Sequence, residues 1–199
     1  DEDGVEIQTA GGNASVTDCT VSDNGGYGVY VEDIGSDVTV TDVTADSNGG
    51  GGYTDGIRVR DVDGDVTVTN CTASHQTGPV DNDGVELGPL DGNLLVQNVT
   101  VAGNAEDGFD LWDVGGTVTV KSVIVTDNIT DGVWLDGFGL SPTVNGGIIC
   151  GNGYGTSVGY SVTVNVEGNW WGCSAGPGNP GCDVAEDYAG TMDYAPWIE

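Results

Sequence analysis

Residues 28–48 read GVYVEDIGSDVTVTDVTADSN, and this stretch decides the fold. Val29, Val31, Val38, Val40, Val43 and Ala45 alternate with Tyr30, Glu32, Thr39 and Thr44, the period-two pattern of strands with one apolar face. Gly and Asp turns divide the stretch into three short strands. The pattern then recurs along the chain. A glycine opens it at Gly4, Gly28, Gly56, Gly84, Gly108 and Gly132, with spacings of 24, 28, 28, 24 and 24. A polar column of Asn24, Asn48, Gln76, Asn104, Asn128 and Asn152 keeps the same spacings. A third column, Cys19, Val43, Cys71, Val99 and Val123, runs in step until Ile148 follows one residue late. The Val, Thr and Gly content and the missing 3.6 period exclude a helical repeat. Each unit is therefore one coil, paired in parallel with the next about 4.8 Å away, and like residues stack on like. The expected architecture is all-β: a right-handed parallel β-helix, a solenoid of about six rungs. Asp18, Asp42, Asn70, Asn98 and Ser122 fall where each coil bends, and Asp and Asn accept left-handed backbone there. The two longer repeats place extra residues in Gly49–Asp55 and Thr77–Asp83, adjacent loops expected to bulge along one edge.

Composition narrows the partners. The 199 residues include 36 Gly and 32 Asp+Glu but only 3 Lys+Arg, for a formal net charge of -29. Phosphate recognition needs clustered Lys and Arg, so nucleic acid is excluded as a partner, and an anionic membrane surface is disfavoured. No stretch reaches the ~18 apolar residues of a membrane span. The first residue is Asp1 and no basic-then-apolar leader follows, which reads as a processed chain or an excised domain. Salt adaptation and calcium binding both account for the excess of acid. The chain reads as exported, at the cell surface or outside the cell.

After Asn152 the rhythm breaks. Asn169-Trp170-Trp171-Gly172 is followed by Gly176-Pro177-Gly178 between Cys173 and Cys182, and the chain closes with Asp193-Tyr194-Ala195-Pro196-Trp197. These segments resemble the C-terminal cap of pectate-lyase-like β-helix proteins, and the repeats resemble the same superfamily over the whole chain. The resemblance divides one domain into rungs at 1–152 and a last partial rung plus cap at 153–199. It implies the fold and leaves the activity open, because that superfamily holds lyases, glycosidases, epimerases, adhesins and surface proteins.

The first strand of each coil carries two outward columns. One reads Glu6, Tyr30, Arg58, Glu86, Asp110, Trp134, and the other Gln8, Glu32, Arg60, Gly88, Trp112, Asp136. In enzymes of the superfamily this sheet usually bears the substrate groove. Tyr30, Trp112 and Trp134 are then candidates to stack on sugars. Glu86 and Asp110, about 5 Å apart at the backbone, are candidates for acid/base work on a glycosidic bond, and Arg58 for orienting substrate. The plain alternative is a solvated sheet face with cross-rung charge pairs such as Arg58 with Glu86. A lyase would need a basic residue, and only Arg58, Arg60 and Lys121 are available. The single histidine, His75, is expected at a coil corner.

Calcium is the expected cofactor. Asp61, Asp63 and Asp65 alternate around Gly64, and Asp81 and Asp83 lie one coil later. Asp-Gly is also ordinary turn chemistry. Cys173 and Cys182 flank the Gly-Pro-Gly loop, where a disulfide would staple the cap. Cys19 and Cys71 share a column two rungs apart, about 9.6 Å, beyond disulfide reach, so they read as buried free thiols; Cys150 is expected to face inward too. Of four N-x-S/T sequons, Asn13 and Asn128 are the candidate glycan acceptors, while Asn70 and Asn98 suit an inward stacked ladder.

Two functions follow. One is a non-catalytic structural or adhesive protein stacking head-to-tail into a cell-surface filament, because Asp1 to Ala10 enters the first rung without a cap and a solenoid end left bare is a pairing edge. The other is a polysaccharide-binding or polysaccharide-degrading domain that uses the first-strand face.

Overall fold

Alternating Val and Thr favour pleated strands, and Gly or Asp at every corner lets the chain turn. In the computed structural model, which describes residues 3–50 and 52–198, this yields eighteen strands and no helix. They are β1 (Val5–Ala10), β2 (Ala14–Ser22), β3 (Val29–Ile34), β4 (Val38–Asp46), β5 (Ile57–Val62), β6 (Val66–Thr69), β7 (Thr72–Ser74), β8 (Val85–Leu87), β9 (Leu94–Gln97), β10 (Thr100–Ala102), β11 (Phe109–Trp112), β12 (Val118–Lys121), β13 (Ile124–Thr126), β14 (Asp131–Asp136), β15 (Thr143–Asn145), β16 (Ile148–Cys150), β17 (Tyr154–Asn165) and β18 (Ala185–Asp193).

All pairings are parallel, and the strands stack into three faces. The first is β1-β3-β5-β8-β11-β14-β17-β18. The first halves of β2 and β4 with β6, β9, β12 and β15 make the second. Their second halves with β7, β10, β13 and β16 make the third. The register matches the sequence columns: Val29 pairs Ile57, Ile57 pairs Val85 and Val85 pairs Phe109. Bends at Asp18, Asp42, Asn70, Asn98 and Ser122 have φ of 52–56°, as their residue types require, and Gly146 continues that corner at 66°. His75 also sits at a corner, with φ 56°.

The solenoid is longer than six rungs. Residues 153–199 add β17 and β18 to the first face, so eight strands stack there. The glycine column runs one step further, to Gly155 at a spacing of 23, and is lost at Val184, but parallel pairing needs only backbone and continues without it. Trp171, fully buried, fills the interior at that end. Cys173 and Cys182 are bridged, with Cα atoms 5.1 Å apart.

Inside, the polar column is a hydrogen-bonded ladder. Asn24 Nδ2 donates to Asn48 Oδ1 (2.8 Å), Asn104 Nδ2 to Asn128 Oδ1 (2.9 Å), Asn128 Nδ2 to Asn152 Oδ1 (2.8 Å) and Asn152 Nδ2 to Asp183 Oδ2 (2.8 Å). Gln76 joins through its backbone N–H to Asn104 Oδ1 at 3.1 Å. Asn104→Leu keeps the volume but strands the Gln76 N–H and the Ala73 carbonyl, each worth on the order of 1–3 kcal/mol. Chemical denaturation should show a loss of about 2–4 kcal/mol, and a much smaller one for Asn24→Leu at the half-exposed end.

Four expectations change. Asn128 is buried at 2 % exposure with its amide inside the ladder, so a glycan there and this fold exclude each other. Asn13 is exposed. Asn70 and Asn98 do form a stacked pair, Asn98 Nδ2 to Asn70 Oδ1 at 3.2 Å, but on the outside. Cys150 faces outward and is half-buried, because Ile148 pairs with Ile124 rather than Val123, and a one-residue slip exchanges the faces of a strand. Cys71 is a buried free thiol, whereas Cys19 is free but only half-buried.

Candidate active site on the first face

The outward column of the first face is not solvated at Arg58 and Glu86, whereas Glu6 is exposed. Loops 52–55 and 77–83 pack on each other beside it, with Thr54 Oγ1 hydrogen-bonded to Asn82 Oδ1 at 2.7 Å and the Asp83 N–H to Asp55 Oδ1 at 2.9 Å. They close over Arg58, which is 9 % exposed, and over Glu86, which is 4 % exposed. Arg58 NH1 pairs with Glu86 Oε2 at 2.6 Å and with Asp55 Oδ2 at 3.3 Å, and donates to the Tyr27 hydroxyl at 3.2 Å. Its guanidinium lies 5.5 Å from the Tyr27 ring centroid, and Tyr27 stacks on Tyr30 at 4.8 Å. The cross-rung pair is therefore present but buried. Arg58 holds Glu86 in place and has little surface left to meet a substrate.

Trp112 Nε1 donates to Glu86 Oε1 at 3.2 Å. The indole reaches back over Gly88, where a Cβ would come within 1.9 Å of the Trp112 carbonyl oxygen. Asp110 pairs in register with Glu86 on the neighbouring strand. Its Oδ1 is buried without a hydrogen-bond partner. Burial first, and then the charges of Glu86 and Asp107, raise its pKa to about 8. Trp134 follows on the next rung, its ring 5.5 Å from that of Tyr188.

Behind this column stands a second one that the glycine repeat conceals. Asp55, Asp83, Asp107 and Asp131 precede the strand-opening glycines Gly56, Gly84, Gly108 and Gly132, while Asp3 and Tyr27 precede Gly4 and Gly28. Besides the Asp83–Asp55 bond, the Asp107 N–H donates to Asp83 Oδ1 and the Asp131 N–H to Asp107 Oδ1, each at 2.7 Å, and Ser157 Oγ donates to Asp131. Burial, with the neighbouring carboxylates, raises Asp55 and Asp83 well above the usual carboxylate range and Asp107 to about 7; burial also raises Asp131. Only Asp83 of this column was picked out from the sequence. The 28-24-24 recurrence of Asp before Gly was the available signal.

The arginines a lyase would need are both paired: Arg60 Nε lies 2.9 Å from Asp61 and 3.5 Å from Glu32. Lys121 is on the second face. The expected calcium ligands do not converge on one point. Asp83 Oδ, Asp55 and Glu86 offer oxygens within 4.8 Å of one another, yet Arg58 already supplies positive charge there. Asp65 Oδ1 accepts from the Asn93 N–H at 2.8 Å. Asp81, half-buried, gives its carbonyl to the Thr54 N–H. Asp61 and Asp63 instead line a recess of about 190 Å³ with Asp33 and Asp91. Asp61 is paired there with Arg60 at 2.9 Å, which leaves Asp33, Asp63 and Asp91 as the oxygens open to a calcium ion.

A sequence profile describing a right handed beta helix region matches residues 3–170. The chain belongs to the right-handed beta helix family. No curated protein and no solved structure matches it. In this β-helix the shared feature is the coil, and the buried Arg58–Glu86 pair belongs to two of its rungs. No helix is long and apolar enough to cross a membrane among the described residues.

Proposed function

We propose that the first face is a polysaccharide site with the residues for glycosidic hydrolysis. The supporting observation is the unlike pair in one column: the Glu86 charge is matched by an ion pair with Arg58, whereas Asp110, half-buried beside it, has a buried oxygen with neither a hydrogen bond nor an ion pair among the described residues. Two carboxyls in contrasting surroundings are what acid/base catalysis on a glycoside requires. Asp110, protonated at neutral pH, gives its proton to the leaving oxygen as the C–O bond breaks. Glu86, on the neighbouring rung about 5 Å away, bonds to the anomeric carbon as that C–O bond breaks, and water then displaces Glu86 while giving its proton to Asp110. Trp112 and Arg58 position Glu86, and Trp134 offers a stacking surface. Turnover and binding measured across neutral, uronic and amino glycans test this, with Glu86→Gln as the inactive control. Neither turnover nor binding with any glycan would remove the reading.

A second reading, a structural or adhesive subunit, is supported by the two ends of the same face. Among the described residues β1 pairs only with β3, and β18 with β17 alone on the first face, so each has an edge onto which a second copy could add in parallel. Sizing and electron microscopy at high concentration, with and without calcium and salt, decide it: uniform fibres support it and persistent monomers end it. Both readings place the protein outside the cell or at its surface, in keeping with the Cys173–Cys182 bridge. For calcium, readdition after chelation should raise the melting temperature by a few degrees. The rise should vanish in Asp63→Asn/Asp91→Asn, and no rise in the unaltered protein would dismiss the ion.

A further inference from the structure

The first face does not stop at Asp110. Its outward column continues through Trp134, Ser157 and Glu186 on β14, β17 and β18. Ser157 is small and fully buried. Gly159, beside it, has no room for a side chain, because a Cβ would lie 2.6 Å from the Asp136 carboxyl carbon. The outward column is therefore covered at these two positions, and Trp134 and Tyr188 stand beside them with ring planes inclined at 59°. Tyr188 is 57 % exposed, so this aromatic pair meets solvent.

Desolvation first, and then the charges of Glu186 and Asp131, push the pKa of the Tyr188 phenol up. Glu186 Oε2 is buried and has no hydrogen-bond partner, as has Asp110 Oδ1 further back in the same column. A buried carboxylate oxygen without a donor is costly, so the place favours a ligand that brings donors. Aromatic faces attract cations. The positive charge of the face is already committed, Arg58 to Asp55 and Glu86 and Arg60 to Asp61 and Glu32. A uronate would find no unpaired arginine here, whereas an ammonium group would find acceptors.

We infer that this end of the face is a subsite for an amino-sugar residue, with Trp134 and Tyr188 stacking on the ring and Glu186 taking the ammonium. The inference rests on the first face being a glycan site and names the class of glycan. Parallel rungs about 4.8 Å apart put Glu186 roughly 14 Å from Asp110, room for a short oligosaccharide between the reacting bond and the subsite.

Calorimetric titration with glucosamine oligomers, their N-acetylated counterparts and oligogalacturonate tests it, at a salt concentration high enough to screen the net charge of -29. The free amine should bind about tenfold more tightly than the acetylated oligomer, and oligogalacturonate least. Trp134→Ala leaves the charge unaltered and should weaken the amine and the acetylated oligomer alike, by about tenfold, which general attraction to an acidic protein would not allow. Glu186→Gln should reduce the amine preference about tenfold. Equal binding of the amine and acetylated oligomers, or tighter binding of the uronate, overturns the inference and leaves the glycan site standing. No binding by any of the three removes both.

Discussion

Asp110→Asn is expected to lower turnover by about 10²–10⁴ on any glycan the protein cleaves, the usual worth of a general acid. The variant should fold normally. It removes a carboxyl that burial and the Glu86 charge disfavour in its ionised form, so its melting temperature should equal or exceed that of the unaltered protein. The pH profile carries the sharper test. The acid must hold its proton to act, so kcat/KM should fall as pH rises through about 8, the value to which burial brings Asp110. The residual activity of the Asn variant should lose that alkaline limb. Turnover undiminished in Asp110→Asn, or an unchanged limb, would take Asp110 out of the reaction.

Arg58→Ala is expected to give the largest loss of stability, about 3–5 kcal/mol, because it leaves buried carboxylates without their cation. For a chain of about 200 residues each kcal/mol moves the melting temperature by roughly 2–4 °C, so a fall of about 6–20 °C should be seen. Arg60→Ala, a more exposed pair, should cost less than about 1 kcal/mol. The sign with pH is set by the aspartates. Asp55, Asp83, Asp107, Asp110 and Asp131 all have folded-state values raised above the unfolded one. The folded chain then binds more protons than the unfolded chain, and stability present in acid is lost as pH climbs through the folded values, up to about 8 for Asp110. Melting should be higher at pH 5.5 than at pH 8.5, and the Arg58→Ala deficit should widen across the same interval. Stability that instead rises over this interval would show that the aspartates are ionised at little cost, and the buried-acid description of the face would be wrong.

Asn104, Asn128 and Gln76 show how far a repeat can be read. Their common spacing announced a stacked column, and a parallel solenoid puts column members on adjacent rungs whatever else happens. The same arithmetic placed Glu86 beside Asp110 and Arg58 beside Glu86, and it put Asp18 and Asn70 at bends. It failed where the count slipped by one residue, at Gly147 and Ile148, and so Cys150 was put on the wrong side. It also ended too soon, because Gly155 comes 23 residues after Gly132, out of step with the 24 and 28 of the earlier rungs, and β18 keeps the pairing with no such glycine.

The period and the residue types in each column determined by themselves the coil, its parallel register and, up to the slip at Gly147, the neighbours of each side chain along the axis, since backbone pairing at a fixed rise leaves no freedom in that direction. What lies across the axis belonged to the tertiary structure. Only there do loops 52–55 and 77–83 meet over Arg58, Trp112 turn back to Glu86, and Tyr188 come round to Trp134. Burial and charge neighbours set how tightly a carboxyl holds its proton, and both come from residues that no spacing in the chain brings together. A column of acids that reads as a solvated surface is thereby made into a buried, proton-holding face.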